Sequence, residues 1–198
     1  HRDGDETYEY PDLNITSTRH YINRGFDAMR EAAYRKSYSI LSPRQFFDFI
    51  ELLESGRDVY HGSGQKINGL RVRELLGDIF EAKEPFRGEW LDARFEDIQG
   101  VLHMASDHRR ISTGQVEPMY LQPVREGYLE GECRISFSGI NMQGLPTRRG
   151  KDSGYMPPRP SNEAGTIVWA SKRGPFLSFS HLIENFDPNV GVRLVFKR

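Results

Sequence analysis

The chain has 198 residues, 37% hydrophobic and 12% aromatic, which suits one domain with a sizeable core. Its 27 Lys and Arg nearly balance 28 Asp and Glu, so a net charge of −1 argues against general nucleic-acid binding and against an acidic shell. The single cysteine, Cys133, excludes an intramolecular disulfide and argues against a cysteine-built zinc site, and no apolar run of about 18 residues could cross a membrane as a helix.

Residues 1–15 are largely polar and predict a flexible segment ahead of one domain over 16–198. No apolar signal-like segment follows His1. Thr16-Ser17-Thr18 offers an N-cap, and Tyr21, Ile22, Phe26, Met29, Ala32 and Ala33 recur at helical spacing. Ser42-Pro43-Arg44-Gln45 has the form of a capping box with Pro at the first helical position. Phe46, Phe47, Phe49, Ile50, Leu52 and Leu53 give that second helix a wide apolar face, and Gly56 ends it. His61-Gly-Ser-Gly64 lacks the Gly-Lys-Ser/Thr ending of a phosphate cradle and reads as a turn. A third helix runs from Asn68 through Leu75 and Ile79 and closes by Pro85.

Strands dominate after residue 86. The alternation over 89–95 and the run over 101–105 predict a hairpin turning at Ile98-Gln99-Gly100. The stretch 114–131 reads as irregular, 133–137 as a strand with a half-buried Cys133, and 141–163 as a long loop. Strands over 166–170 and 190–196 bracket a segment of mixed chemistry with no period that buries one face. Helices first and strands later predict an α+β fold with a small antiparallel sheet.

Candidate chemistry is sparse. His103, Asp107 and His108 cluster, but His103 and His108 have opposite strand parity, so no metal site is expected. Glu89 and Asp92 also point apart and read as structural carboxylates. Ser178, Ser180, His181 and Asp187 lack the strained elbow of a catalytic triad. A hydrolase or transferase using His181 or His103 is the enzymatic alternative. Arg148, Arg149, Lys151, Lys172 and Arg173 read as solvated charge, and Trp169 as a core anchor. No cofactor is expected.

Gly144-Leu-Pro-Thr147, a strand ending in Trp169, an irregular stretch and then Gly191-Val-Arg-Leu-Val195 together resemble the end of a C-type lectin-like domain. The kind resembled is the disulfide-free one shared by formylglycine-generating enzymes and the variable proteins of diversity-generating retroelements. Phe86-Arg-Gly-Glu-Trp-Leu-Asp-Ala-Arg-Phe95 resembles archaeal and archaeal-virus members of the variable-protein group. The resemblance spans about residues 40–198. It implies a small mixed sheet with two helices and a long loop region, and a non-enzymatic role as a receptor or adhesin on a virion or cell surface. The ligand it implies is an unknown protein or cell-surface molecule. The variable region would lie at about 141–190.

The display residues so implied are Asn141, Tyr155, Met156, Ser171, Lys172, Arg173, Phe176, Ser178, Ser180, His181, Glu184, Asn185 and Phe186, with Trp169, Gly191, Val192 and Arg193 as scaffold. The calcium-ligand motifs of sugar lectins and the reactive cysteines of formylglycine-generating enzymes are missing from the chain. A third reading is a phage or viral structural protein, with Tyr21, Phe26 and Met29 as an oligomer face.

Overall fold

The computed structural model describes residues 2–3, 6–7, 13–21, 25–61, 63–80, 87–161, 164–171, 173–182 and 189–197. Its elements, in chain order, are β1 (Arg2–Asp3), β2 (Glu6–Thr7), β3 (Leu13–Ile15), α1 (Phe26–Arg35), β4 (Ser39–Ile40), α2 (Pro43–Glu54) and α3 (Gly69–Phe80). Then come β5 (Gly88–Leu91), β6 (Ala93–Ile98), β7 (Val101–Arg110), β8 (Val116–Pro123), β9 (Cys133–Ile135) and β10 (Ser153–Met156). The chain closes with β11 (Ala164–Ser171), β12 (Gly174–Leu182), β13 (Val190–Gly191) and β14 (Leu194–Lys197). The fold is α+β, with its three described helices all ahead of β5.

The helices follow local chemistry. In α2 the Ser42 Oγ accepts the Gln45 N–H and the Gln45 Oε1 accepts the Ser42 N–H, so the capping box forms as its spacing requires. In α3 the Asn68 Oδ1 accepts the Arg71 N–H at 2.9 Å. The first helix is shorter than its apolar spacing suggests. Thr16, Ser17 and Thr18 do not cap it; it starts at Phe26, after Gly25. His20 bridges to Val192 instead, so pairing with the chain's end overrides local propensity up to that point.

The main sheet has six strands in the order β13-β5-β11-β12-β10-β9. It is mixed rather than antiparallel, because β12 runs parallel to β10 and β13 parallel to β5. One face carries Leu91, Val168, Leu177, Phe179 and Tyr155 and packs on Phe46, Phe47 and Ile50 of α2 and Leu75 and Ile79 of α3. The other carries Trp90 and Ile167 and packs on Phe26, Met29 and Ala33 of α1. Phe26 and Met29 are fully buried, so the expected oligomer face of that helix is core.

A three-stranded sheet, β3-β14-β4, brings Leu13–Ile15 against the end of the chain, inside the segment expected to be flexible. Another, β6-β7-β8, is a meander whose first hairpin turns at Gln99-Gly100 as expected. Its third strand, β8, replaces part of the irregular stretch expected over 114–131. The single strand expected over 89–95 breaks at Asp92, where the chain passes from the six-stranded sheet to the meander. No described helix is long and apolar enough to cross a membrane.

Candidate functional site

The segment expected to be an irregular display rim contains a strand. Gly174–Leu182 is β12, paired with β11 on one side and β10 on the other. Its alternation is obscured for two reasons. Both sheet faces are covered over part of its length, and its register with β11 shifts between Gly165 and Ile167. Ile167 pairs with Ser178 but Gly165 with His181, so β12 carries one extra residue there. The Ser178 Oγ accepts the Ser180 N–H at 3.2 Å within this bulge.

The bulge restores His181 to the face that carries Trp169. The His181 ring lies 5.1 Å from Trp169 and 5.5 Å from Trp90, tilted to both. Trp169 is in register with Phe176, and their rings stack at 4.8 Å with 22° between planes. Phe176 in turn lies over Gly154 of β10, where any Cβ would come within 2.5 Å of its ring. Trp169, Phe176, His181 and Met156 are all half-buried. They form an aromatic face that begins where the Trp90 cluster ends. Arg173 is exposed at the tip of the β11–β12 hairpin, and its N–H donates to the Ser171 Oγ.

The expected display residues therefore divide. Met156, Ser171, Arg173, Phe176, Ser180 and His181 keep side-chain exposure on or beside this face. Asn141, Tyr155 and Ser178 do not, and their assignment as display positions is corrected. Tyr155 is 1% exposed, and its hydroxyl donates to the Leu129 carbonyl at 2.9 Å. Ser178 is fully buried. Asn141 organises a turn, its Oδ1 accepting the N–H groups of Gln143 and Leu145. Lys172, Glu184, Asn185 and Phe186 lie outside the described residues. Trp169 is packed against the core on one edge, as an anchor would be, and is also stacked on Phe176 at the surface. Gly191, Val192 and Arg193 are buried, as scaffold positions would be.

The candidate acid–base groups form structural ties. His108 and Asp92 make a sealed pair, with Nδ1 and Oδ1 2.5 Å apart and exposures of 3% and 0%. Asp92 also accepts the His108 backbone N–H at 2.7 Å and the Tyr34 hydroxyl at 2.8 Å. Burial pushes the Asp92 carboxyl up, but the charge and hydrogen bonds of His108 and the Tyr34 hydroxyl outweigh it and hold it below its ordinary value. Asp107 pairs with Arg109, and the His103 Nδ1 meets the Val101 carbonyl. No three metal-ligating groups converge among the described residues.

Sequence reasoning missed a second tie. Arg193, its side chain fully buried, directs Nε and Nη2 to Glu89 and Nη2 to Asp78, and its Nη1 donates to the Ser17 carbonyl at 2.6 Å. Arg193 and Glu89 are 104 residues apart, and no local pattern in the chain pairs them. Comparison of the chain with protein-family models, with curated proteins and with solved structures found no match.

Proposed function

We propose that this chain is a non-enzymatic ligand-binding protein that presents the Trp169–Phe176–His181 face and the β11–β12 hairpin tip to a protein or cell-surface ligand. The observation that carries this reading is the stacked pair of half-exposed rings, Trp169 and Phe176, beside an exposed Arg173 on a hydrogen-bonded hairpin. Rigid aromatic side chains and Arg supply contact area at low entropic cost, while Ser171 and Ser180 supply adaptable polar contacts. The reading extends to a C-type lectin-like variable protein of a diversity-generating retroelement, acting as a receptor or adhesin. The mixed sheet flanked by helices and the motifs around Gly144, Trp169 and Gly191 support that extension.

The test is a library randomised at Ser171, Arg173, Phe176 and Ser180. Most members should melt within roughly 4 °C of the parent, and selection should yield binders to new targets. Widespread unfolding of the library would overturn the reading.

A specific observation favours self-association as a second reading. The edge strand β8 exposes Met119, Tyr120 and Leu121 at 51%, 49% and 45%, with no charged residue from Pro118 to Val124. An assembly protein would use this edge instead of the buried α1 face. Light scattering of the parent and of Leu121→Lys decides it; a monomer in both cases removes the reading.

A further inference from the structure

The aromatic face does not end at Phe176. Residues in register across a sheet share a face. One such row runs through Gly88 of β5, Trp169 of β11, Phe176 of β12, Gly154 of β10 and Arg134 of β9. The Phe176 ring fills the space over Gly154, where a Cβ would come within 2.5 Å of it. No side chain of β10 therefore stands between that ring and Arg134. On the reverse side of the same strands Ile135, Tyr155 and Leu177 belong to the core, so Arg134 projects from the aromatic side. It is exposed, and it lies outside residues 141–190.

Three features select the ligand. Arg134 donates to the Lys151 carbonyl and has no carboxylate partner among the described residues. Arg173 at the hairpin tip also lacks one, its backbone N–H alone being bound, by Ser171. Each lies roughly 10 Å from Phe176, one across two strand spacings and the other three residues along β12. The complement is therefore an apolar centre flanked by negative charge. Secondly, the hydroxyls of Ser171 and Ser180 already donate to the Gly174 and Pro157 carbonyls. The strongest donors left for a ligand are guanidinium N–H groups, and a carboxylate accepts two of these in parallel. Thirdly, a phosphate backbone fits less well. It needs cations along a track, whereas Glu132 stands two residues before Arg134, exposed and held only by Arg159 at 3.8 Å.

We propose that the ligand meets this face with an acidic protein segment, one carboxylate on Arg134, another on Arg173, and an apolar side chain between them on Phe176 and Trp169. This rests on the binding role given above and adds to it Arg134, which that role does not need.

The experiment is titration of the full chain with the peptide Glu-Ser-Glu-Phe-Glu-Ser-Glu, and with the same peptide carrying Gln for every Glu. Tryptophan fluorescence reads it, because the chain has two Trp and Trp90 is only 1% exposed, which leaves Trp169 as the reporter. The acidic peptide should bind about tenfold or more tighter than the neutral one and lose affinity as salt rises. Arg134→Gln should weaken it about tenfold with urea unfolding unchanged. Arg134→Glu should reverse the preference, favouring the peptide with Lys for Glu, which a merely structural arginine would not do. No binding, equal binding of the acidic and neutral peptides, or undiminished binding by Arg134→Gln would each overturn the proposal. Tighter binding of an oligothymidylate of about ten nucleotides would overturn it in favour of single-stranded nucleic acid. These failures are distinct from failure of the display reading, which the folding of the library at Ser171, Arg173, Phe176 and Ser180 decides.

Discussion

Asp92 takes two contacts from a single residue: the His108 backbone N–H reaches Oδ2 at 2.7 Å and the His108 ring Nδ1 lies 2.5 Å from Oδ1. With the Tyr34 hydroxyl also on Oδ2, one buried carboxylate joins α1, the break between β5 and β6, and β7. Asn at this position loses the charge, and its amide N–H₂ can face the His108 Nδ1 only if that ring carries its proton on Nε2 alone. Asp92→Asn should therefore cost about 3–5 kcal/mol in urea unfolding, the range for breaking a buried pair from one side. A loss under about 1 kcal/mol would mean that the tie is dispensable.

The same carboxylate sets an acid limit. Its folded value lies below the ordinary one, so its contribution is complete above about pH 4 and is lost as pH falls through the folded value. Tyr34 works in the other direction. Burial, the Asp92 charge and the hydrogen bond to Asp92 raise its hydroxyl well above the ordinary value. Its contribution is complete below about pH 10 and falls as pH rises further. Urea midpoints measured at pH 3, 7 and 11 should drop at both ends. Tyr34→Phe should flatten the alkaline arm, and an unchanged arm would assign it elsewhere.

Gly144 has φ +81, and a Cβ there would come within 2.4 Å of the Arg44 backbone N and 2.6 Å of Pro43. This is where the 141–145 turn presses on the start of α2, and Arg44 answers by donating to the Asn141 carbonyl at 3.2 Å. Gly144→Ala combines a left-handed backbone with a backbone collision, so it should cost about 2 kcal/mol or more in thermal or urea unfolding. Gly64, also at positive φ but in open space, is the control, and Gly64→Ala should cost about 1 kcal/mol.

Segments with short-range causes were legible in the chain. The capping box of α2, the Asn68 start of α3 and the hairpin at Gln99-Gly100 all depend on residues within four positions of each other. The strand β12 depends on distant partners. Phe176-Leu177-Ser178-Phe179-Ser180-His181 shows no clean alternation, because a bulge reverses its parity midway. Within it, Ser178 and Arg173 look equally suited to display from the sequence, yet one is sealed and the other exposed. Ser178→Asp should cost about 3 kcal/mol or more by burying an unpaired charge, and Arg173→Asp no more than about 0.5 kcal/mol. Equal effects in a melting experiment would contradict the burial that separates display from scaffold.

Arg193 and Glu89 make the strongest case for long-range specification. Arg193 Nε lies 2.9 Å and 3.1 Å from the two Glu89 oxygens, and its Nη2 is shared with Asp78, whose side chain is 24% exposed. The pair fixes β5 to the two-residue link between β13 and β14, and through Ser17 it holds the N-terminal segment beside them. Arg193→Met leaves the Glu89 carboxylate buried without its partner, and Glu89→Leu leaves the guanidinium with only Asp78 and two carbonyls. Each should cost about 3–5 kcal/mol. The double variant removes both charges from the interior and replaces them with apolar bulk, so it should cost less than the two singles together by about 2 kcal/mol or more. A double-mutant cycle measured by urea unfolding reads this coupling directly. Simple additivity would mean that the two groups act independently, and the terminal strands would then owe their position to their backbone pairing and to the apolar contacts of Val192 and Leu194.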